Sequence, residues 1–170
     1  AGTCKSQLLR FAAKISNRSV VTTGGGSTAA VLTVSVVRDP AGDYGLEAGA
    51  LVLADSGVCV IDEFSSIKPV DRNALLEAME QQTVSIAKAG LNATLNTRAS
   101  IIAATNPKTS FEDFTDLSTT TGVAGPLLSR FDLIILIIDK AEKKNDSLIC
   151  AHILYGDELA EESILFLPEF

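Results

Sequence analysis

Apolar and polar positions follow two different periods along this chain, and the switches between them divide it into elements. After a run of small residues, Ala1-Gly-Thr-Cys-Lys-Ser6, apolar side chains recur at Leu8, Leu9, Phe11, Ala12 and Ile15, the spacing of one helix face. Residues 18–23 are β-branched and read as a strand, broken by Gly24-Gly25-Gly26-Ser27-Thr28. Residues 31–37 alternate, Asp39-Pro-Ala-Gly-Asp43 turns the chain and 44–47 return, which predicts a β-hairpin. Residues 48–55 make a short apolar helix or turn, and 57–61 a strand. A helix over 70–82 would carry Ala74, Leu75, Ala78 and Met79 on one face, with Pro69 and Asp71 as start signals. Residues 83–87 and 93–97 pattern as two strands joined around Lys88-Ala-Gly-Leu-Asn92. Residues 99–105 form an apolar strand stopped by Asn106-Pro107. Residues 108–121 are a loop rich in Thr, Ser and Asp with room for one short turn, and Pro126 starts a helical segment over 125–131. Residues 133–138 are continuously apolar, as a buried parallel strand should be. A last helix over 143–155 would turn Leu148, Ile149 and Ile153 inward.

Strands alternating with helices, with hairpins inserted, predict an α/β three-layer domain around a mostly parallel central sheet. Its 170 residues suffice for one domain with a core. A hydrophobic share of 46% against 21% charged residues describes a globular chain, not a disordered one. No apolar run has the length of a membrane span. The three cysteines lack metal-ligand spacing, and an odd number does not suit a disulfide framework, so a reducing setting is expected. A single histidine, His152, leaves no basis for a His-rich metal site and little for a Ser-His-Asp triad. The net charge of −7 argues against a broad basic surface, while leaving room for a few local cations on phosphates.

Sheets of this kind bind ligands at the carboxyl ends of their strands, and the candidate chemistry gathers there. The stretch Val58-Cys-Val-Ile-Asp-Glu-Phe64 ends an apolar run in two carboxylates. Neighbouring strand residues point to opposite sides, so Asp62 and Glu63 cannot do the same job. One can hold Mg²⁺ while the other orients an attacking water. Alone, the pair also suits a core strand ending in a charged turn. Lys5-Ser6 is the second half of a phosphate loop, Gly-x-x-x-x-Gly-Lys-[Ser/Thr]. Converging N–H groups and the helix dipole hold phosphate there; Lys5 would reach the β- and γ-phosphates and Ser6 would ligate Mg²⁺. Cys4 stands where that pattern has Gly, so a plain helix start fits these residues too. Asn106 is either a positioned side chain or a turn former.

Longer runs narrow the choice. Leu46-Glu-Ala-Gly-Ala-Leu-Val-Leu-Ala-Asp55, Ile61-Asp-Glu-Phe64, Leu76-Glu-Ala-Met-Glu-Gln-Gln82, Ile86-Ala-Lys-Ala-Gly-Leu91, Ala103-Ala-Thr-Asn-Pro107 and Leu127-Leu-Ser-Arg-Phe-Asp132 resemble the AAA+ ATPase core of the minichromosome maintenance (MCM) replicative helicase family, from about Gly2 to His152. Asn17-Arg-Ser-Val20, Thr22-Thr23 and Thr105-Asn-Pro-Lys108 are more similar to one branch, the ninth paralogue, which works in recombination repair.

The resemblance implies a P-loop AAA+ fold with ATP and Mg²⁺ as cofactors. Gly2, Thr3, Cys4, Lys5, Ser6 and Gln7 would hold the nucleotide as Walker A, where the family often has Ala or Ser at the place of Cys4. Ser6 and Asp62 would bind the metal, and Glu63 would polarise the attacking water. Asn106 would be sensor 1 and help place that water. Arg130 would be an arginine finger given in trans to the neighbouring subunit, a group worth roughly 10³–10⁵ in rate. Residues 31–47 would form the helix-2 insert, with Val31 where the family usually has Gly. Lys88, on the pre-sensor-1 hairpin, would face DNA in the channel.

Implied partners are single-stranded or forked DNA and other MCM subunits in a homo- or hetero-hexamer, with no membrane, in the nucleus. Residues 1–155 would be a truncated core, lacking the start of Walker A and the lid, and 156–170 a tail of unclear structure. The isolated chain is expected to be inactive. Two functions follow: an ATP-hydrolysing motor, or a nucleotide-binding but inert scaffold subunit. Retention of Lys5, Asp62, Glu63, Asn106 and Arg130 favours the motor. Without the family match, Lys88 reads as an exposed hairpin lysine and Arg130 as a helix-end arginine on carbonyls.

Overall fold

The strand that carries the two acids is the centre of the sheet. The computed structural model describes residues 3–25, 29–38, 40, 42–88, 90–108, 117–138 and 142–155. In chain order these form α1 (Lys5–Ile15), β1 (Ser19–Thr23), α2 (Ala29–Leu32), β2 (Val34–Arg38), β3 (Tyr44–Ala48), α3 (Ala50–Leu53), β4 (Val58–Asp62), α4 (Pro69–Gln81), β5 (Thr83–Lys88), β6 (Leu91–Asn96), β7 (Ser100–Ala103), α5 (Leu117–Thr121), α6 (Gly125–Leu128) and α7 (Lys143–Tyr155). β4 lies between β1 and β7, parallel to both. The hairpins β2–β3 and β5–β6 are separate antiparallel pairs.

Both faces of β4 are covered, which is why its sequence is a continuous apolar run. Cys59 and Ile61 join a core with Leu32, Leu51, Phe64, Ile67, Leu75, Ala78, Val84 and Leu127. Val60 is equally buried and points the other way, towards the side of α1. The three layers are therefore α1, the sheet, and α2 to α4. Burial pushes the Cys59 thiol up to about 12, so it behaves as a small hydrophobe. α4 starts on Pro69 with Asp71 in its first turn, as its sequence predicts. It ends where Gln82 turns left-handed (φ 56) and its N–H bonds the Ala78 carbonyl. Arg98 donates from both its side chain and its amide to Asp55, fastening the start of β7 to the end of α3. Those bonds hold the Asp55 carboxyl well below the usual carboxylate range. Among the described residues no helix is long and apolar enough to cross a membrane.

Several expectations need correction. The hairpin expected over 31–47 begins later: Val31 and Leu32 end α2, and Leu32 is fully buried. Alternation over the first few residues coincided with one helical turn. The β5–β6 pairing extends further than expected, because Lys88 pairs with Leu91, with Gly90 at φ 79 beside it. Residues 133–138 form no strand, and Leu133 is 73% exposed. A strand exists only by pairing its N–H and C=O groups, and no described strand pairs with this segment. Its apolar run records what could pack, not against what.

By contacts the chain divides into Ala1–Ile134 and Ile135–Phe170. The second unit contains α7, whose Leu148, Ile149 and Ile153 are exposed, not turned inward. In the first unit, α1 buries Leu9 but leaves Leu8, Phe11 and Ile15 exposed. Ala1, Gly2, residues 26–28, 109–116 and the 156–170 tail lie outside the described residues.

Candidate nucleotide site

β4 ends at Asp62, in register with Thr23 of β1, and Ile61 is in register with Ala103 of β7. The chain then turns sharply. Glu63 takes a left-handed conformation (φ 50, ψ 44), and Phe64–Ser66 make one 3₁₀ turn. This turn is pinned by backbone groups from both neighbouring strands. The Gly24 N–H donates to the Asp62 carbonyl (2.7 Å), and the Phe64 N–H to the Ala104 carbonyl (2.9 Å). From α4, the Arg72 guanidinium donates to the carbonyls of Ile67 (3.1 Å) and Ser65 (3.2 Å). The buried Phe64 ring meets Phe131 edge-on, centroids 5.4 Å apart.

The Asp62 carboxylate is engaged on both oxygens. Oδ1 accepts the Glu63 N–H (2.8 Å), and Oδ2 accepts the Ser6 hydroxyl (2.5 Å). The second contact joins the start of α1 to the end of β4. It also tests the metal assignment. Ser6 donates its proton to Asp62, so its oxygen lone pairs stay available beside a carboxylate, a hard-oxygen set that suits Mg²⁺ shared with phosphates. Among the described residues no group of three or more His, Cys, Asp or Glu could hold a metal alone.

Lys5 Nζ donates to Thr3 Oγ1 (2.8 Å), within the same loop. The Cys4 carbonyl accepts the N–H groups of Gln7 (3.0 Å) and Leu8 (3.1 Å), which starts the helix. The amides just before them have no intrahelical acceptor and are available to an anion. Cys4 itself sits at φ 53, ψ 20. That left-handed conformation favours glycine and explains why the phosphate-loop pattern has Gly at this place.

The glycine run has a role that the sequence did not reveal. A Cβ on Gly24 would lie 2.4 Å from the Glu63 carbonyl oxygen, and one on Gly25 would lie 2.9 Å from Glu63 Oε2. Gly24 and Gly25 therefore do more than break the chain. They let the backbone lie flush against the acidic turn. The Glu63 side chain is exposed and makes no hydrogen bond among the described residues. Asn106, also exposed, follows β7 on the segment that Phe64 anchors at Ala104.

Thr3, Lys5, Ser6, Asp62 and Glu63 thus gather around one strand end, with Asn106 on the adjoining segment. Arg130 is placed differently: its Nη2 donates to Glu80 Oε1 on α4, not to Asp62 or Glu63. Lys88 is the last residue of β5, and its side chain lies outside the described residues, as does Gly2. The Glu80 pairing and the Phe64–Phe131 contact left no sequence signal beyond their presence in family-like runs.

Comparison with known proteins agrees with this geometry. The pattern of the MCM P-loop domain matches residues 1–156. A protein named probable DNA helicase MCM9 from Oryza sativa subsp. japonica is 58% identical over 153 residues, 90% of this chain and 23% of the relative. The Arabidopsis thaliana protein of the same name is 54% identical over 161 residues, 95% of this chain and 25% of the relative. DNA replication licensing factor mcm6 of Dictyostelium discoideum is 45% identical over 163 residues, 95% of this chain and 19% of the relative. The chain therefore spans a quarter or less of the length of these relatives. Matched over nearly its whole length by the MCM P-loop domain, this chain belongs to the MCM family.

Proposed function

We propose that this chain is the ATP-hydrolysing core of a ring-forming MCM-type DNA helicase that acts in replication or recombination repair in the nucleus. The observation that carries the reading is the Ser6–Asp62 hydrogen bond, with Glu63 turned out beside it. It joins a phosphate-loop serine to an acid pair on the central strand. The relatives named probable DNA helicase MCM9, at 58% and 54% identity, support the ninth-paralogue branch. Residues 1–155 form the core in this reading, and 156–170 a tail.

Each residue has a distinct task. Lys5 and the first amides of α1 bind the β- and γ-phosphates, together with Gly2, Thr3, Cys4 and Gln7. Lys5 leaves Thr3 to do so. Ser6 and Asp62 would hold Mg²⁺, which when bound supplies Lewis-acid charge at the phosphates. Glu63 orients and polarises the attacking water; its exposed carboxylate has no competing partner. Asn106 helps place that water. Arg130 serves the nucleotide of the adjacent subunit, so residues 1–155 alone contain only half of each site and are expected to be inactive. Lys88 faces DNA phosphates in the ring channel, contacts that position DNA without reading sequence. Other MCM subunits complete the ring.

The test is Glu63→Gln in the full-length protein with its ring partners. ATP binding is expected to persist while turnover falls about 10²–10⁴-fold. Unchanged turnover in that variant would contradict the motor reading. A parent protein that binds ATP in the ring and never hydrolyses it would instead establish the inert scaffold.

A further inference from the structure

We propose that Glu80 is the positioning residue for Arg130, fixing the direction in which the guanidinium is offered to the neighbouring subunit's nucleotide. The proposal rests on the reading of Arg130 as a finger in trans. The main chain around Arg130 is already set. The Arg130 N–H donates to the Leu127 carbonyl and the Phe131 N–H to the Leu128 carbonyl, both at 3.2 Å. Leu127 is buried, and the Phe131 ring rests on Phe64. What is left to settle is the long side chain, and Glu80 Oε1 takes it by one donor, Nη2. A guanidinium has five N–H donors, so most remain for phosphate oxygens.

The placement of Glu80 links the two half-sites. It lies near the end of α4, and Arg72 near the start of the same helix bonds Ser65 and Ile67 in the acidic turn. Eight residues of helix separate them, about 12 Å of rigid rod. One subunit's finger is thereby held at a fixed offset from that subunit's own Asp62-Glu63 turn. The pair does little for the fold itself. The Arg130 and Glu80 side chains are 47% and 35% exposed, and exposed ion pairs contribute little to stability. A role in aim explains the contact better than a role in folding.

The experiment uses the full-length protein in its ring. Glu80→Ala is expected to lower kcat about tenfold to 100-fold, the cost of a misplaced group. KM for ATP and Tm should be unchanged, and Glu80→Asp should recover part of the rate. Arg130→Ala is run beside it. If Arg130→Ala leaves turnover intact, the finger reading fails and the proposal falls with it. If Arg130→Ala removes turnover while Glu80→Ala leaves kcat unchanged, only the role of Glu80 is overturned. A doping series then separates aim from local damage. Subunits carrying Glu63→Gln with Glu80→Ala have a silent site of their own, so only their finger can matter. Mixed into wild-type rings, they should depress turnover more than Glu63→Gln subunits do. Equal depression would overturn the proposal.

Discussion

The acidic turn after β4 and the arginine turn after α6 hold their functional side chains differently. The first is held mainly by backbone: Gly24 bonds Asp62, Ala104 bonds Phe64, and Arg72 bonds two carbonyls within the turn. In the second, backbone bonds to Leu127 and Leu128 set the turn, but the direction of the Arg130 side chain rests on Glu80, while Phe131 rests on Phe64. Main-chain bonds between parallel strands are fixed once the sheet forms, so the acids are positioned by folding. Glu80 engages one of the five guanidinium donors, so the others stay open while the side chain keeps its direction. The acids are set by main-chain bonds, and the direction of the Arg130 side chain by one side-chain pair.

The contrast would break most visibly at Gly24. In Gly24→Ala the new Cβ would meet the Glu63 carbonyl oxygen at 2.4 Å, a backbone atom that cannot swing away. Turnover of the full-length protein should fall at least about 100-fold, with a stability loss of about 1–3 kcal/mol from overpacking. Full activity in this variant would mean that the turn tolerates displacement. Phe131→Ala tests the other side. Loss of the edge-on ring contact should cost about 0.5–1.5 kcal/mol beyond the buried area. It should lower turnover of the ring more than ATP binding, read by comparing hydrolysis with nucleotide titration. A smaller effect belongs to Cys4, at φ 53. Cys4→Gly should leave ATP affinity intact and raise stability by about 1 kcal/mol or less, because glycine relieves strain but adds freedom to the unfolded chain. Thermal melts with and without ATP measure both.

Asp55 gives the smallest shift and lies outside either half-site. Arg98 depresses its carboxyl below the unfolded value. The stability it contributes is therefore present above about pH 4, the unfolded carboxylate range, and is lost as pH falls through the lower folded value. Asp55→Asn should reduce the acid sensitivity of Tm below pH 4 and change little at pH 7 beyond the small worth of an exposed pair.

Periodicity found α1, α4 and β4 closely because their patterns are local: a helix face three or four residues apart, or an apolar run between breakers. Lys5-Ser6 and Asp62-Glu63 stood out as motifs because the chemistry proposed for them demands particular residue types in sequence, and the structure brings Ser6 and Asp62 together. Residues 133–138 were misread because an apolar run does not say which strand pairs with it. Gly24 and Gly25 were read as a break because their reason lies in Glu63, far along the chain. Glu80 sat in a family-like run with no cue that it faces Arg130, 50 residues on. Where a side chain's role is set by a partner distant in sequence, a single sequence holds the residue but not the relation.

The division of one active site between two subunits is tested most directly by mixing. Full-length Lys5→Ala subunits, unable to hold the phosphates, and Arg130→Ala subunits, unable to offer the finger, should each form rings with little ATP turnover. Combined in one ring, some interfaces pair an intact phosphate loop from one subunit with an intact arginine from the next. Turnover recovered well above either parent is the expected result. Mixed rings no more active than the parents would mean that both residues of a site come from one subunit, and would contradict the division.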